Sequence, residues 1–435
     1  MNDMHDPPGW SQIKGVPVPD DHPAAALLNA KAVRSHCEEI FSFVAGGASA
    51  HFIWNPQRLP DAAAYVAAVI RERYPDLRVP YHSRWRHFEA GGVDRWGEAF
   101  RAQAMDANPN HDAGDERANC KVRAERARAR IDLVIPSVLL DAGAGAAWHY
   151  RDGATGQLLA RSEGLGVASL ALFTSGVLSN HATRPLRTDA AALLRVRPGT
   201  IGKFFQVDAD NPLVGLDGRA ALLTRLGEVA LQTPAIFGVE ARLGNLYDYL
   251  TEHARDRQLP AGFILETLLC ALGPMWPGRR MLEGVPLGDC WPHPAASGGL
   301  VPFHKLTQWL TYSLLEPLEE AGLTIIDLDE LTGLPEYRNG GLLLDLGVIS
   351  ARDAAFHARK LAIDESAVVE WRALTVAILD RLADEVRAVL AVDARDFPLA
   401  RVLEGGTWAA GRKIAAEKRA GGPPPVNIDS DGTVF

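Results

Sequence analysis

The stretch 302–372 concentrates the polar side chains that could do chemistry, and near its centre Glu336, Tyr337, Arg338 and Asn339 stand between Pro335 and the pair Gly340-Gly341. The proline and the glycines predict a constrained turn rather than a continuous helix. A turn held by rigid helices is where catalytic groups concentrate. The plainer alternative is a capped helix start that leaves a Glu and an Arg at the surface. A carboxylate such as Glu336 can stabilise a developing cation or activate a water molecule.

Upstream, Phe303-His304-Lys305-Leu306-Thr307-Gln308-Trp309-Leu310 opens a helix. Residues four apart stack on a helix, so His304, Gln308 and Tyr312 share one face, with Lys305 and Trp309 forming the adjacent stripe. A lysine beside first-turn amides suits a phosphate; a solvated lysine beside a core tryptophan is an even alternative. Glu370-Trp371-Arg372 lies within the helical run 365–390, and its residues alone place the charged pair on the outer face. Asp141 ends a hydrophobic helix ahead of Gly143 and Gly145. A negative charge there opposes the helix dipole, so a cation or a ligand hydroxyl must compensate it. Glu163 and Asp289 are isolated acids beside glycine, a pattern more often found in turns and caps. The run 81–88, Tyr-His-Ser-Arg-Trp-Arg-His-Phe, interleaves cations with aromatics. Arginine forks of this kind match phosphate oxygens, but pairing with acidic helices is the preferred reading.

These groups need a scaffold, and the chain of 435 residues with 47% hydrophobic content can bury one large core or two packed ones without disulfides or metals. Ala, Leu, Arg and Glu dominate, so helices are expected over most of the length, with amphipathic candidates at 24–43, 61–73, 118–140, 218–231, 302–321 and 365–390. The one clear β signal is 147–161, where Trp148-His149-Tyr150-Arg151 and Gln157-Leu158-Leu159-Ala160 flank Gly153-Ala154-Thr155-Gly156 as a hairpin. The polar stretch 105–116 suggests a boundary, giving an N-terminal helical region 1–115, a main helical catalytic domain 116–420 and, after Gly421-Gly422-Pro423-Pro424-Pro425, an extended tail 421–435.

The four cysteines are far apart, with no CxxC pair, which favours a reducing compartment and argues against a structural metal. The start carries no signal peptide pattern, and no apolar run is long enough for a bilayer. A net charge of -9 opposes a broad nucleic-acid surface while leaving room for a small anion. The motifs GxSxG, GxGxxG, the P-loop and HExxH are all missing.

Taken together, Ser137 to Gly145, Arg161 to Gly164, Asn211-Pro212-Leu213-Val214-Gly215-Leu216, Phe303 to Ser313 and Leu331 to Gly347 resemble the uracil-catabolism protein 4 family over nearly the whole chain. That resemblance implies a place in a route that degrades uracil through a ribosylurea-type intermediate. A more distant likeness is to queuosine-salvage proteins, which hydrolyse an N-glycosidic bond of a nucleoside 5'-phosphate. Their ordered motifs Phe-Tyr-Lys-Lys-Ala-Gln-Ile-Leu, Leu-Thr-x-Phe-x-Asp-Tyr-Arg-Val-Pro-Gln and Glu-Ile-Arg-Ala resemble residues 303–310, 331–341 and 370–373 here. This likeness implies a mainly α, helical DNA-glycosylase-like bundle with one small β-hairpin, and it puts the catalytic acid at Glu336, where that family has Asp.

The resulting expectation is a cytoplasmic N-ribosyl hydrolase that needs no cofactor and no metal and takes a ribosylurea 5'-phosphate. Glu336 is the central carboxylate, with Asp289 or Asp141 on the sugar hydroxyls. His304 and Lys305 hold the phosphate, Arg338 and Arg372 fix the carboxylates or assist there, and Gln308, Tyr337, Trp148 and Glu163 complete the substrate-binding candidates. Partners are expected to be a small ribosyl phosphate, neither nucleic acid nor membrane, and either a second copy or a pathway enzyme. The rivals are an amide or ureide hydrolase or deaminase of the same route, a noncatalytic nucleotide-binding scaffold, and, least favoured, a helical structural protein.

Overall fold

The computed structural model describes residues 18, 21–102, 116–141, 143–276 and 280–429. The fold is mainly α, as the composition predicts, and among the described residues the strands form only short pairs. Most of the expected boundary stretch 105–116 lies outside the described residues.

The chain forms two compact units, each discontinuous and each drawing on sequence from both sides of residue 115. The first comprises the described parts of Met1–Pro19, Ser83–Pro286 and Ser313–Ile326; the second comprises Asp20–His82, Leu287–Tyr312 and Asp327–Phe435.

In the first unit the helices Glu116–Leu139, Arg161–Thr174, Leu216–Gln232 and Ala261–Leu272 supply most of the core. The expected hairpin is present, pairing Tyr150 with Leu159 and Arg151 with Leu158 in antiparallel register. Its turn is tied by Asp152, which accepts from the Thr155 hydroxyl at 2.7 Å and pairs with Arg95 at 2.6 Å.

In the second unit the 25-residue helix Ser366–Leu390 is buried along nearly every face for its first half and packs against Ala30–Ala45 and Leu59–Arg73. Asn29 caps Ala30–Ala45 through its side-chain oxygen, which accepts the Ala32 amide at 2.7 Å. Arg34 then ties that helix to Asp380 at 2.8 Å and to the Leu331 carbonyl at 2.9 Å. The tail is extended where Asn427–Asp429 pairs in parallel with Lys360–Ala362.

The region 336–345 corrects the expected turn: Tyr337–Asp345 is a helix, and Gly340 lies inside it. The glycine serves a close approach, because a Cβ at position 340 would stand 2.7 Å from Trp371 Cε2 and 2.8 Å from Thr375 Oγ1. Gly340→Ala is therefore expected to lose about 1–3 kcal/mol through overpacking. Gly218→Ala, also helical but with open space at its Cβ, is expected to gain up to about 1 kcal/mol. Urea unfolding of both variants checks the contrast; equal effects would exclude packing as the reason for Gly340.

Candidate functional site

Most of the predicted site residues fall in the second unit, where Arg372 and the Lys305 amide bond to Asp289. The segment that carries them runs from the strand Cys290–Pro292, which pairs antiparallel with Leu300–Pro302, into the helix Lys305–Glu320. His304, at φ +49°, makes the sharp turn between the second strand and the helix, a left-handed conformation that few non-glycine residues adopt.

Asp289 caps that helix. Its Oδ2 accepts the Lys305 amide at 3.1 Å, and the two carboxylate oxygens take a bidentate fork from Arg372 at 2.8 and 2.7 Å. The Trp291 indole donates to Oδ1 at 2.6 Å. Burial alone would push the Asp289 carboxyl up; the Arg372 guanidinium, with the indole and the Lys305 amide, outweighs it and holds the group well below the usual carboxylate range. A carboxylate offers about four lone-pair sites, and these donors occupy them, so Asp289 has no acceptor left for a sugar hydroxyl. Asp289 is thus placed to organise the site, which departs from its expected role on the sugar.

Arg372 is 1% exposed, stacks under the Phe303 ring at 4.1 Å and leans its Nε toward the Pro335 carbonyl at 3.4 Å. The outer-face reading of Glu370 and Arg372 is therefore wrong, because both side chains are buried. Glu370 accepts from the Ser49 hydroxyl, with His293 Nε2 at 3.5 Å from its other oxygen.

One residue after Pro335, Glu336 is the N-cap of Tyr337–Asp345; its oxygens accept the Arg338 amide at 2.7 Å and the Asn339 amide at 2.5 Å. The helix start is capped, as the plainer alternative supposed, but Glu336 and Arg338 are buried, not at the surface. Burial pushes the Glu336 carboxyl up, and the two amides and the charges of Lys305 and His82 pull it only part of the way back. Arg338 donates to the Gly422 carbonyl at 3.0 Å and lies 5.4 Å from the Tyr337 ring.

The shared face of His304, Gln308 and Tyr312 is real and faces inward. Gln308 clasps Thr332 through its side-chain hydroxyl and its amide, and the Tyr312 hydroxyl donates to the Thr332 carbonyl at 3.0 Å. His304 Nε2 meets the Leu27 carbonyl at 2.8 Å, and burial lowers the pKa of the ring, which makes it a neutral tether rather than a phosphate cation. Lys305 is the cation this helix start offers.

Asp141, Glu163 and Trp148 lie in the first unit. Asp141 finds its compensating cation in Arg84, which is fully buried, 3.1 Å away and also within the field of Glu163. Trp148 is a core residue, donating to the Phe205 carbonyl at 2.9 Å. The run 81–88 does pair with acids, as preferred: Arg86 with Glu316 at 2.9 Å and His82 with Glu404 at 2.8 Å. Two concavities of the first unit, about 440 and 280 Å³, are lined by other residues. Among the described residues no group of three His, Cys, Asp or Glu side chains is placed to hold a metal, and no helix is long and apolar enough to cross a membrane.

Sequence reasoning missed His82 and Glu404 as members of this region, and it placed Glu370 on the outer face. The mixed cation and aromatic run pointed to the first, and nothing local pointed to the second.

Replacing Arg372 by Met would leave Asp289 charged and buried, at a cost of about 3–5 kcal/mol at neutral pH. A depressed carboxyl contributes stability above its unfolded value of about 3.9, and that contribution fades as pH falls through the folded value. The deficit of Arg372→Met should therefore shrink as the pH falls below about 4 in urea unfolding. An unchanged deficit would show that the fork acts only as packing.

Comparison with known proteins adds the family. Residues 26–435 match a family described as a protein of unknown function, DUF1688. The uracil catabolism protein 4 of Lachancea kluyveri is 36% identical over 95% of this chain and 99% of its own length. Protein urg3 of Schizosaccharomyces pombe is 36% identical over 94% of this chain and 98% of its own. With nearly end-to-end matches to both relatives and to the family pattern, the chain belongs to the DUF1688 family, alongside uracil catabolism protein 4.

Proposed function

We propose that this protein is a cytoplasmic hydrolase of uracil breakdown that cleaves the N-ribosyl bond of a ribosylurea 5'-phosphate, releasing urea and ribose phosphate. The pathway comes from the name of the relative in Lachancea kluyveri. The observation that carries the chemistry is Glu336, a buried carboxylate whose pKa is raised and which feels the charges of Lys305 and His82.

Breaking the bond between the anomeric carbon and nitrogen builds positive charge on the sugar. A carboxylate in a poorly hydrated setting stabilises that charge more than water does, and it can take the proton of the attacking water. Each Glu336 oxygen spends one acceptor site on a backbone amide and keeps another for the water. The amides fix the direction of the head group, so little reorganisation is needed at the moment of reaction.

Lys305, at the first position of its helix, is suited to the 5'-phosphate, where the helix start adds partial positive charge. Asp289 and Arg372 hold that helix start against the Pro335 carbonyl, and so set Lys305 and Glu336 in register. Tyr337, Arg338 and Gln308 maintain the loop and helix around them.

Incubation with ribosylurea 5'-phosphate should yield urea and a reducing sugar in equal amounts. Urea without a reducing sugar would mean attack at the carbonyl, and an inactive wild type would sink the reading. Glu336→Gln should lower kcat/KM by about 10³ or more, the scale of a lost electrostatic catalyst. Its stability at neutral pH should stay within about 1 kcal/mol of wild type, because the weakened cap is offset by relief of a buried charge whose raised carboxyl costs stability as pH rises. The acidic limb of the wild-type pH profile should lie above the usual carboxylate range and vanish in this variant. Lys305→Met should raise KM for the phosphorylated substrate at least 10-fold and leave the dephosphorylated one little changed.

A further inference from the structure

His82 stands out among the buried groups the proposed reaction has not used. It is 5% exposed, and its backbone amide is fixed by the Ala400 carbonyl at 3.0 Å. Its Nδ1 lies 2.8 Å from Glu404 Oε2, while the other Glu404 oxygen faces Arg73 Nη2 at 3.4 Å and the Glu404 carbonyl accepts from Arg73 Nη1 at 2.6 Å. Glu404 therefore holds one ring nitrogen and leaves Nε2 for something else. That division of labour, a carboxylate orienting an imidazole whose far nitrogen transfers the proton, recurs wherever histidine handles protons.

The surroundings agree with such a role. Glu404 sits in a single wide turn of π type, Leu403–Thr407, a feature that re-aims a side chain within an otherwise regular helix. Gly406 lets that turn press close, since a Cβ there would lie 2.6 Å from Val66 Cγ1. Two indoles wall the imidazole, Trp408 with ring centres 5.9 Å apart and Trp309 at 6.5 Å. Trp309 lies one helical turn beyond Lys305, and His82 is close enough for its charge to act on Glu336. A proton carrier, the central carboxylate and the phosphate cation thus belong to one neighbourhood of the second unit.

We infer that His82, oriented by Glu404, is the acid that protonates the departing nitrogen in the reaction proposed above, an assignment that rests on that reading. Urea leaves poorly as an anion. As the bond between the anomeric carbon and nitrogen breaks, its electron pair goes to nitrogen, which takes the Nε2 proton of the imidazolium. Water adds to the sugar carbon and gives a proton to Glu336. Transfer of one proton from Glu336 to solvent and uptake of one by His82 restore the enzyme, so that substrate and water become urea and ribose phosphate. Glu404 is a positioning residue that keeps Nδ1 protonated and Nε2 aimed.

Leaving groups that need no proton separate this role from a structural one. His82→Gln should lose at least 100-fold in kcat on ribosylurea 5'-phosphate yet less than 5-fold on nicotinamide mononucleotide or a nitrophenyl ribofuranoside 5-phosphate. Glu336→Gln should lose activity on all of them. Glu404→Gln should show the same dependence on leaving group at smaller amplitude, with kcat reduced and KM unchanged, and it serves should His82→Gln fail to fold. Equal losses on both substrate classes, or a fully active His82→Gln, would overturn the assignment while leaving the ribosyl hydrolase reading intact. A wild type that frees no urea from ribosylurea phosphate would overturn that reading and this role with it.

Discussion

The fork between Arg372 and Asp289 is the constraint on which the second unit's polar centre depends. Arg372 reaches out of the buried first half of the helix Ser366–Leu390, and Asp289 stands at the end of a loop, 83 positions earlier in the chain. Through one carboxylate the fork fixes the first amide of the Lys305–Glu320 helix, the Trp291 indole and the central helix, while the remaining Arg372 nitrogen approaches the carbonyl that precedes Glu336. Buried ion pairs seldom add much net stability, because desolvation consumes most of the Coulombic gain. What this one supplies is direction: a planar bidentate contact has little angular freedom, so the elements that meet at Asp289 can hardly slide past one another.

Glu336 is built on the opposite logic. Asp289 is saturated and strongly acidic, whereas Glu336 is left with spare acceptor capacity in a setting that resists its charge. The helix start favours an anion and burial opposes one. The fold thus keeps two carboxylates in distinct states, one held well below the usual carboxylate range and one raised above it. Pairs of acids with pKa values driven apart by their surroundings are the usual means by which a single site assigns separate roles.

Local pattern revealed much of this and missed the rest for identifiable reasons. Helix periodicity placed 365–390 and 61–73 within a few residues of the observed Ser366–Leu390 and Leu59–Arg73, and the four-residue spacing put His304, Gln308 and Tyr312 on one inward face. The glycines at 340–341 misled, because a glycine needed for a turn and one needed for contact with Trp371 look identical in sequence. Glu370 and Arg372 looked exposed because charge beside an apolar stripe reads as an outer face until a partner is known, and the Ser49 partner of Glu370 lies 321 residues away. The link between His82 and Glu404 spans 322 residues. Pairings at such separations are set by the packing of whole helices, which no window of the chain contains.

The glutamate at position 336, where the queuosine-salvage pattern has aspartate, has a physical rationale in this setting. Aspartate is the usual short cap, with its carboxylate close to the backbone it serves. Glutamate is one methylene longer and here turns back so that each oxygen meets a different amide, Arg338 on one side and Asn339 on the other. That two-point hold removes the rotational freedom the extra methylene would otherwise bring. The residues that follow Tyr337 and Arg338, Asn339-Gly340-Gly341 in place of Val-Pro-Gln, fit the same local structure: Asn339 takes part in the cap, and the lack of a side chain at Gly340 lets the helix settle against Trp371.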